Sequence, residues 1–277
     1  MEQTEQAEPI EQAETAEALA KQTLSGGLVP VEWDILPLFS CADGALYGGL
    51  LRGAINSPFG GHLTEAQYAP ALENHPAGIA LCLRLCRKFA ALRQDCPALR
   101  ERLRFYLRAP LSLLFEHDPY AYLTEVFGRP ARGQYRGLTF VFPPAVFAAD
   151  TPTLRAAFSA FHAAGFRLAV RGFGAPDFPV GRLFEAVPDA LFIAPAFAAL
   201  LPDPARRAAA QAMLRVADGL SIRLLAEEIP DDETARALAS ADVAAFAPAP
   251  AYRGTLPGRT APMRPADFAS YAGGDNV

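Results

Sequence analysis

The sequence predicts an α/β barrel of eight strands whose first strand runs against the other seven, and three observations carry that prediction. Apolar, strand-like runs recur eight times along the chain. Among the later runs, longer amphipathic stretches of helical spacing lie between one strand and the next, the alternation that builds a parallel sheet. The first two runs are joined only by Cys41-Ala42-Asp43-Gly44, a link so short that it can connect only antiparallel neighbours.

The eight strands are expected at Ile35–Ser40, Ala45–Leu51, Leu103–Leu107, Leu138–Phe142, Arg167–Phe173, Ala190–Ala194, Ile222–Ala226 and Val243–Phe246. Helices are expected at Thr64–Glu73, Gly78–Gln94, Leu111–Val126, Thr153–Ala164, Pro204–Ala217 and Asp231–Ala239, the last opening on an Asp-rich cap. Ahead of the barrel, Glu stands at positions 2, 5, 8, 11, 14 and 17 with no basic residue before Lys21, so the segment repels itself. It reads as a solvated tail over residues 1–28, or else as a short docking helix with Ile10 and Leu19 as its anchors. Ser25-Gly26-Gly27 ends it, and the barrel is expected over residues 29–263. Ala247-Pro248-Ala249-Pro250 and Leu256-Pro257-Gly258 read as surface loops, and residues 264–277 as a tail that leaves the barrel.

Composition narrows the function. With 51% hydrophobic residues in 277, the chain can bury a full core, and a net charge of -5 offers no basic field for nucleic acid. Cys41, Cys82, Cys86 and Cys96 have no zinc spacing, and with no signal peptide or disulfide framework the expected setting is cytoplasmic. Cys82 and Cys86 stand one helical turn apart, but their apolar surroundings favour buried small side chains over a metal. No run is long enough to span a membrane. His62, His75, His117 and His162 are dispersed, and Glu116-His117-Asp118 reads as a polar cluster at a helix end.

In a barrel of this kind chemistry sits at the carboxyl ends of the parallel strands. Several segments near those ends fall in a familiar order. Ile35-Leu36-Pro37-Leu38 lies where one family carries a Gln-Pro strand, and Gly48-Gly49-Leu50-Leu51-Arg52 where it carries Glu-Ala-Leu-x-Arg. Phe161–Gly174 is similar to a helix, Gly turn and strand ending in Asp-Asp-Phe-Gly. Asp189–Phe197 is similar to a Lys-Ile-Asp-x-x-Phe strand, and Leu225–Pro230 to Ala-Glu-Gly-Val-Glu. From about Val29 to Met263 the chain thus resembles the EAL family of cyclic-di-GMP phosphodiesterases. The resemblance implies a TIM-like (β/α)8 barrel of the EAL type with an antiparallel first strand, and it suggests a homodimer.

The family holds divalent metals with a cluster of carboxylates and one Asn, and uses a Lys to position the attacking water. Carried onto this sequence, that machinery is missing. The motif Glu is Gly48, the Asn is approximately Tyr106, and the Glu-rich strand end is the run from Phe140 to Pro144. The paired aspartates are Arg171 and Gly172, the Lys is Phe192, the following Asp is Ala194, and the final Glu is Pro230; only Glu227 is retained. The chain's two lysines, Lys21 and Lys88, lie elsewhere, and Asp177 and Asp189 are the nearest carboxylates, neither expected at a strand's carboxyl end. One carboxylate does not hold two Mg²⁺ ions. The expectation is therefore a catalytically inactive domain with no metal, no cofactor and no catalytic residues, working through a protein partner as a regulator or scaffold in bacterial signalling or motility.

The alternative is a receptor that grips cyclic-di-GMP without cleaving it, through Leu50 and Arg52, with Arg171 neutralising a second phosphate. Against it, Leu50 could instead pack the barrel and Arg52 pair with a surface carboxylate, and the family's closing Gln-Gly-Tyr is here Ala244-Ala245-Phe246. Phe140, Phe142, Phe173, Phe192 and Phe246 are expected near the mouth, where they would stack on a base or, in the favoured reading, close the pocket. An active phosphodiesterase is the third reading, and it needs ligands the sequence does not supply.

Overall fold

The computed structural model describes residues 31–57, 61–96, 103–115, 138–256 and 260–273, together with positions 99, 121 and 123. The acidic segment, Glu116-His117-Asp118 and the end of the helix expected over Leu111–Val126 lie outside the described residues.

Strand β1 (Val31–Ser40) and strand β2 (Leu46–Ser57) form the antiparallel pair that the short link requires. Ser40 and Ala45 close the turn, Asp43 Oδ1 accepts from the Ala45 amide at 3.1 Å, and Gly44 takes the left-handed conformation (φ 72°) that this tight reversal needs. A short strand β3 (Gly61–Thr64) folds back on β2 as a hairpin; it is missing from the sequence expectation because four residues after a Pro-Gly stretch give too little pattern. Helices α1 (Glu65–Leu72) and α2 (Pro76–Asp95) lead to β4 (Arg104–Arg108), which lies parallel to β2.

Parallel pairing then continues through β5 (Leu138–Phe142), β6 (Arg167–Phe173), β7 (Ala190–Ile193), β8 (Arg223–Asp231) and β9 (Ala245–Arg253). Strand β9 meets β1 in antiparallel register at Phe39 and Ser40, so the sheet closes into an eight-stranded barrel. Between the strands run α3 (Leu111–Phe115), α4 (Thr151–Ala163), α5 (Pro195–Ala198), α6 (Pro204–Gly219) and α7 (Asp232–Ala239). Asp150, Asp203 and Asp231 cap α4, α6 and α7 with their carboxylates, which satisfies amides that have no partner within the helix.

Two segments depart from expectation. Ala247–Pro250 belongs to β9, not to a surface loop; the β8–β9 register is irregular here, with Pro248 opposite Ile229. Residues 264–277 were expected to leave the barrel, yet helix α8 (Pro265–Gly273) buries Phe268 completely, and its ring lies 5.8 Å from that of Phe105. Just before it, Ile35 and Met263 exchange both backbone hydrogen bonds, at 2.9 and 3.0 Å.

Apolar side chains form two populations, as period-two alternation in a closed sheet demands. The larger lies between strands and helices. The smaller fills the barrel's interior with Leu38, Leu50, Tyr106, Val141, Phe192 and Leu225 among small alanines.

Candidate functional site

At Gly48, where the resemblance sets the family's motif Glu, the backbone leaves no room for a side chain. Gly48 pairs with Arg104, the first residue of β4, and a Cβ placed on it would lie 1.8 Å from the Arg104 carbonyl oxygen. Real Cβ contacts do not approach that distance, so restoring a Glu here would force two strand backbones apart. Gly172 lies in a bulge of β6 with φ 84°, which glycine adopts without cost and a side-chain-bearing residue does not.

The position of the family's Lys faces inward. Phe192 fills the interior against Tyr106, edge to face at a centroid distance of 5.3 Å, and both rings are almost fully buried. Phe192 is the one of the five phenylalanines that joins the interior cluster. Phe140 and Phe142 pack on Phe161, Phe173 packs on Phe178, and Phe246 packs on Phe39 in the layer between sheet and helices. All five are sealed from solvent, so none offers a face for a base to stack on.

Tyr106 was equated with the third-strand Asn, but it sits in the interior, and the side chain that reaches the mouth from β4 is Arg108, two residues further on. Its guanidinium holds the retained acid: Nη2 donates to Glu227 Oε2 at 2.6 Å, and Nη1 lies 3.2 Å from Glu65 Oε1, at the first turn of α1. The Glu227 and Glu65 side chains keep only 9 % and 10 % of their surface exposed. Burial opposes the charge on Arg108, yet the two carboxylates more than offset it and hold its pKa above the ordinary value. Burial also pushes the Glu65 carboxyl up, with Arg108 pulling the other way and Glu227 adding to the rise. Three charges are thus folded in together, and one oxygen of each acid, Glu65 Oε1 and Glu227 Oε1, is enclosed without accepting a hydrogen bond.

The sequence-predicted nucleotide residues divide between two hollows. Leu50 and Arg52 line the mouth, a pocket of about 320 Å³ shared with Asp34, Glu65, Arg108, Glu227 and Glu228. Leu50 is at the same time buried in the interior cluster. Arg52 is taken by a carboxylate: Nε and Nη2 donate to Asp34 Oδ1 and Oδ2 at 2.8 and 3.1 Å, across the β1–β2 pair. Arg171 faces an adjoining side cavity of about 60 Å³ that shares Glu65 and Arg108 with the mouth and is walled also by Glu73, Tyr68, Leu81 and Cys82. Of the nearest replacement acids, Asp189 precedes β7 at the amino end of the barrel, where it accepts from the Leu168 amide at 2.9 Å and from His162 Nε2 at 2.8 Å. Asp177 is exposed in the loop after β6.

Family-type metal centres need several oxygen ligands around each ion, and this mouth does not fit them. Gly48 has no side chain, Ala194 and Phe192 carry no donor, and Glu227 is held by Arg108. Among the described residues no group of three or more His, Cys, Asp or Glu is placed to hold a metal ion.

Arg108 and Glu65 were not singled out from the sequence. Arg108 and Glu227 are 119 residues apart, which hides their pairing. The available signal was an arginine closing an apolar run, Leu103-Arg104-Phe105-Tyr106-Leu107-Arg108, at the carboxyl end of a barrel strand.

Residues 36–247 match the family model described as the EAL domain. The fold is similar to an EAL enzyme, Bd1971, in its cAMP- and cyclic-di-GMP-bound form, with TM-score 0.76 and 15% identity over 94% of this chain and 69% of that one. It is similar to the PaMucR phosphodiesterase in complex with c-di-GMP, with TM-score 0.70 and 16% identity over 92% of this chain and 99% of that one. It is also similar to the FimX EAL domain from Pseudomonas aeruginosa bound to c-di-GMP, with TM-score 0.66 and 11% identity over 83% of this chain and 92% of that one. No curated protein matches. Among the described residues no helix is long and apolar enough to cross a membrane.

Proposed function

This chain belongs to the EAL domain family, and we propose that it is a member without phosphodiesterase activity, a cytoplasmic regulator or scaffold that works through protein contacts in bacterial signalling or motility. One observation carries the reading. The acid it retains, Glu227, is bound to the guanidinium of Arg108, a fixed cation supplied by the chain itself. A metal at this point would have to displace Arg108 and would then find a single strong ligand where several are needed. The expected homodimer rests on the family resemblance alone.

The receptor reading, with Leu50 and Arg52 gripping cyclic-di-GMP, draws support from the complexes that similar structures form with that ligand. In this chain it requires the bidentate Arg52–Asp34 pair to open first. A single assay separates the readings. The purified chain is incubated with cyclic-di-GMP and Mg²⁺ or Mn²⁺, then titrated with the dinucleotide in chelator, beside Arg52→Ala. We expect neither turnover nor saturable binding. Turnover abolished by Glu227→Ala would sink the inactive reading, and saturable binding in chelator that disappears in Arg52→Ala would establish the receptor.

A further inference from the structure

We propose that the mouth of the barrel receives a single basic side chain, a lysine or arginine presented by a segment of a partner protein, and that Glu227, Glu65 and Glu228 recognise it. The inference rests on the protein-contact reading and supplies the chemistry of the partner.

Charge points this way first. The mouth gathers four carboxylates, Asp34, Glu65, Glu227 and Glu228, against two guanidiniums, Arg52 and Arg108. Both guanidiniums are already engaged, Arg52 by Asp34 and Arg108 by Glu227 and Glu65. The uncompensated charge is negative, so the pocket repels a cyclic dinucleotide diester and attracts a cation.

Hydrogen bonding points the same way. Glu227 Oε1 belongs to a side chain about nine-tenths buried in the wall of this pocket and accepts no hydrogen bond, while Glu65 Oε1 is held only as an ion pair, 3.2 Å from Arg108 Nη1. Enclosed carboxylate oxygens are costly to leave unmatched. An ammonium or guanidinium brings the donors that are missing, with a shift of Arg108 opening the way to them.

The walls suit the stem of such a group. Leu36, Leu50, Pro248 and Pro250 line the pocket with apolar surface, along which the methylenes of Lys or Arg pack while the charged head reaches the acids. Glu228 stands exposed at the rim on a left-handed backbone (φ 56°), adding a charge where the stem would enter. Both deep acids converge on the same guanidinium, so their oxygens are gathered at one point. A second positive charge on a small polyamine would meet Arg108 or Arg52.

The test uses the full chain and capped alanine hexapeptides with one central arginine, lysine or norleucine, with spermidine and cyclic-di-GMP as further probes, followed by NMR titration. The arginine and lysine peptides are expected to bind saturably and the norleucine peptide not at all. Glu228→Lys, on an exposed side chain, is expected to weaken the basic peptides about tenfold or more. Glu227→Gln and Glu65→Gln, read only where thermal melts show a folded chain, are expected to do the same. Absence of peptide binding, equal affinity for the norleucine peptide, or indifference to Glu228→Lys overturns the inference. Spermidine binding without peptide binding also overturns it and makes the occupant a small polyamine. Turnover of cyclic-di-GMP with Mg²⁺ would overturn the inactive reading itself, whereas no turnover and no peptide binding would remove only the present inference.

Discussion

The two ends of the barrel treat their acids differently. At the amino end, Asp189 Oδ2 accepts from both the Leu168 amide and His162 Nε2. These contacts outweigh the effect of burial, which would raise its pKa, and hold the carboxyl below the ordinary Asp range. At the carboxyl end, Glu65 is pushed above its ordinary range by burial, and enclosed atoms of Glu65, Glu227, Arg108 and Ser112 lack hydrogen-bond partners. Size does not mark the difference, since the larger hollow, about 540 Å³, lies at the amino end and the mouth pocket is about 320 Å³. What marks it is electrostatic tension, which folding tolerates where a ligand or partner is to be met. The amino end is built for stability, and the mouth carries the signature of a site.

The largest test of this contrast is Arg108→Ala. Removing the guanidinium leaves two enclosed carboxylates facing each other, and urea denaturation near neutral pH should show a loss of about 3–5 kcal/mol. A loss below about 1 kcal/mol, the range of exposed ion pairs, would mean that the mouth is solvated and the contrast illusory. Next comes Gly48→Glu, which returns the family's acid to the sequence. The clash with the Arg104 carbonyl should cost about 1–3 kcal/mol of stability, and no metal-dependent turnover should appear. A stable variant that gains turnover would show that the barrel had kept room for its metals.

The smallest effects are in pH dependence, where the two ends should have opposite slopes. Glu65 keeps its proton to higher pH in the folded chain than in the unfolded one. Its contribution is therefore full below the ordinary Glu range and is lost as pH rises through the raised value. Asp189 is depressed in the folded chain, so its contribution is full above the ordinary Asp range and is lost as pH falls through the depressed value. Denaturation across pH should show Glu65→Gln flattening the first slope and Asp189→Asn the second. The Asp189 substitution should cost about 1 kcal/mol near neutral pH. Parallel slopes for the two variants would break the comparison.

The strand pattern and the reversed first strand were legible because they depend on local alternation and on a four-residue link. Strand β8 runs on to Asp231, past its expected end at Ala226, and β9 through Pro248 and Pro250, where the prolines suggested a loop. The β8–β9 register is irregular there, and such an irregularity leaves no mark in a single sequence. Helix α8 was hidden by its Ala- and Gly-rich composition; only Phe268 hinted at burial. At the site, the residues standing where the resemblance marks ligands, Gly48, Phe192, Ala194 and Glu227, are visible directly in the sequence. The pairs that now fill the mouth could not, because Arg108 reaches Glu65 and Glu227 across long stretches of chain. The outward packing of Phe140, Phe142, Phe173 and Phe246 follows from register, in which one residue of slip exchanges inside for outside.

The exchange of hydrogen bonds between Ile35 and Met263 bears on how the chain is made. On a ribosome, Ile35 emerges long before Met263, and its outer backbone groups wait for that residue before they find their partner. The same holds for Phe105, whose ring awaits Phe268. Contacts so distant along the chain are slow to form, and until they do, β1 presents an apolar strand edge to its neighbours. A chain truncated after Arg253 should therefore aggregate or recruit a chaperone, and emergence of Met263 and Phe268 becomes the step that commits the barrel to close.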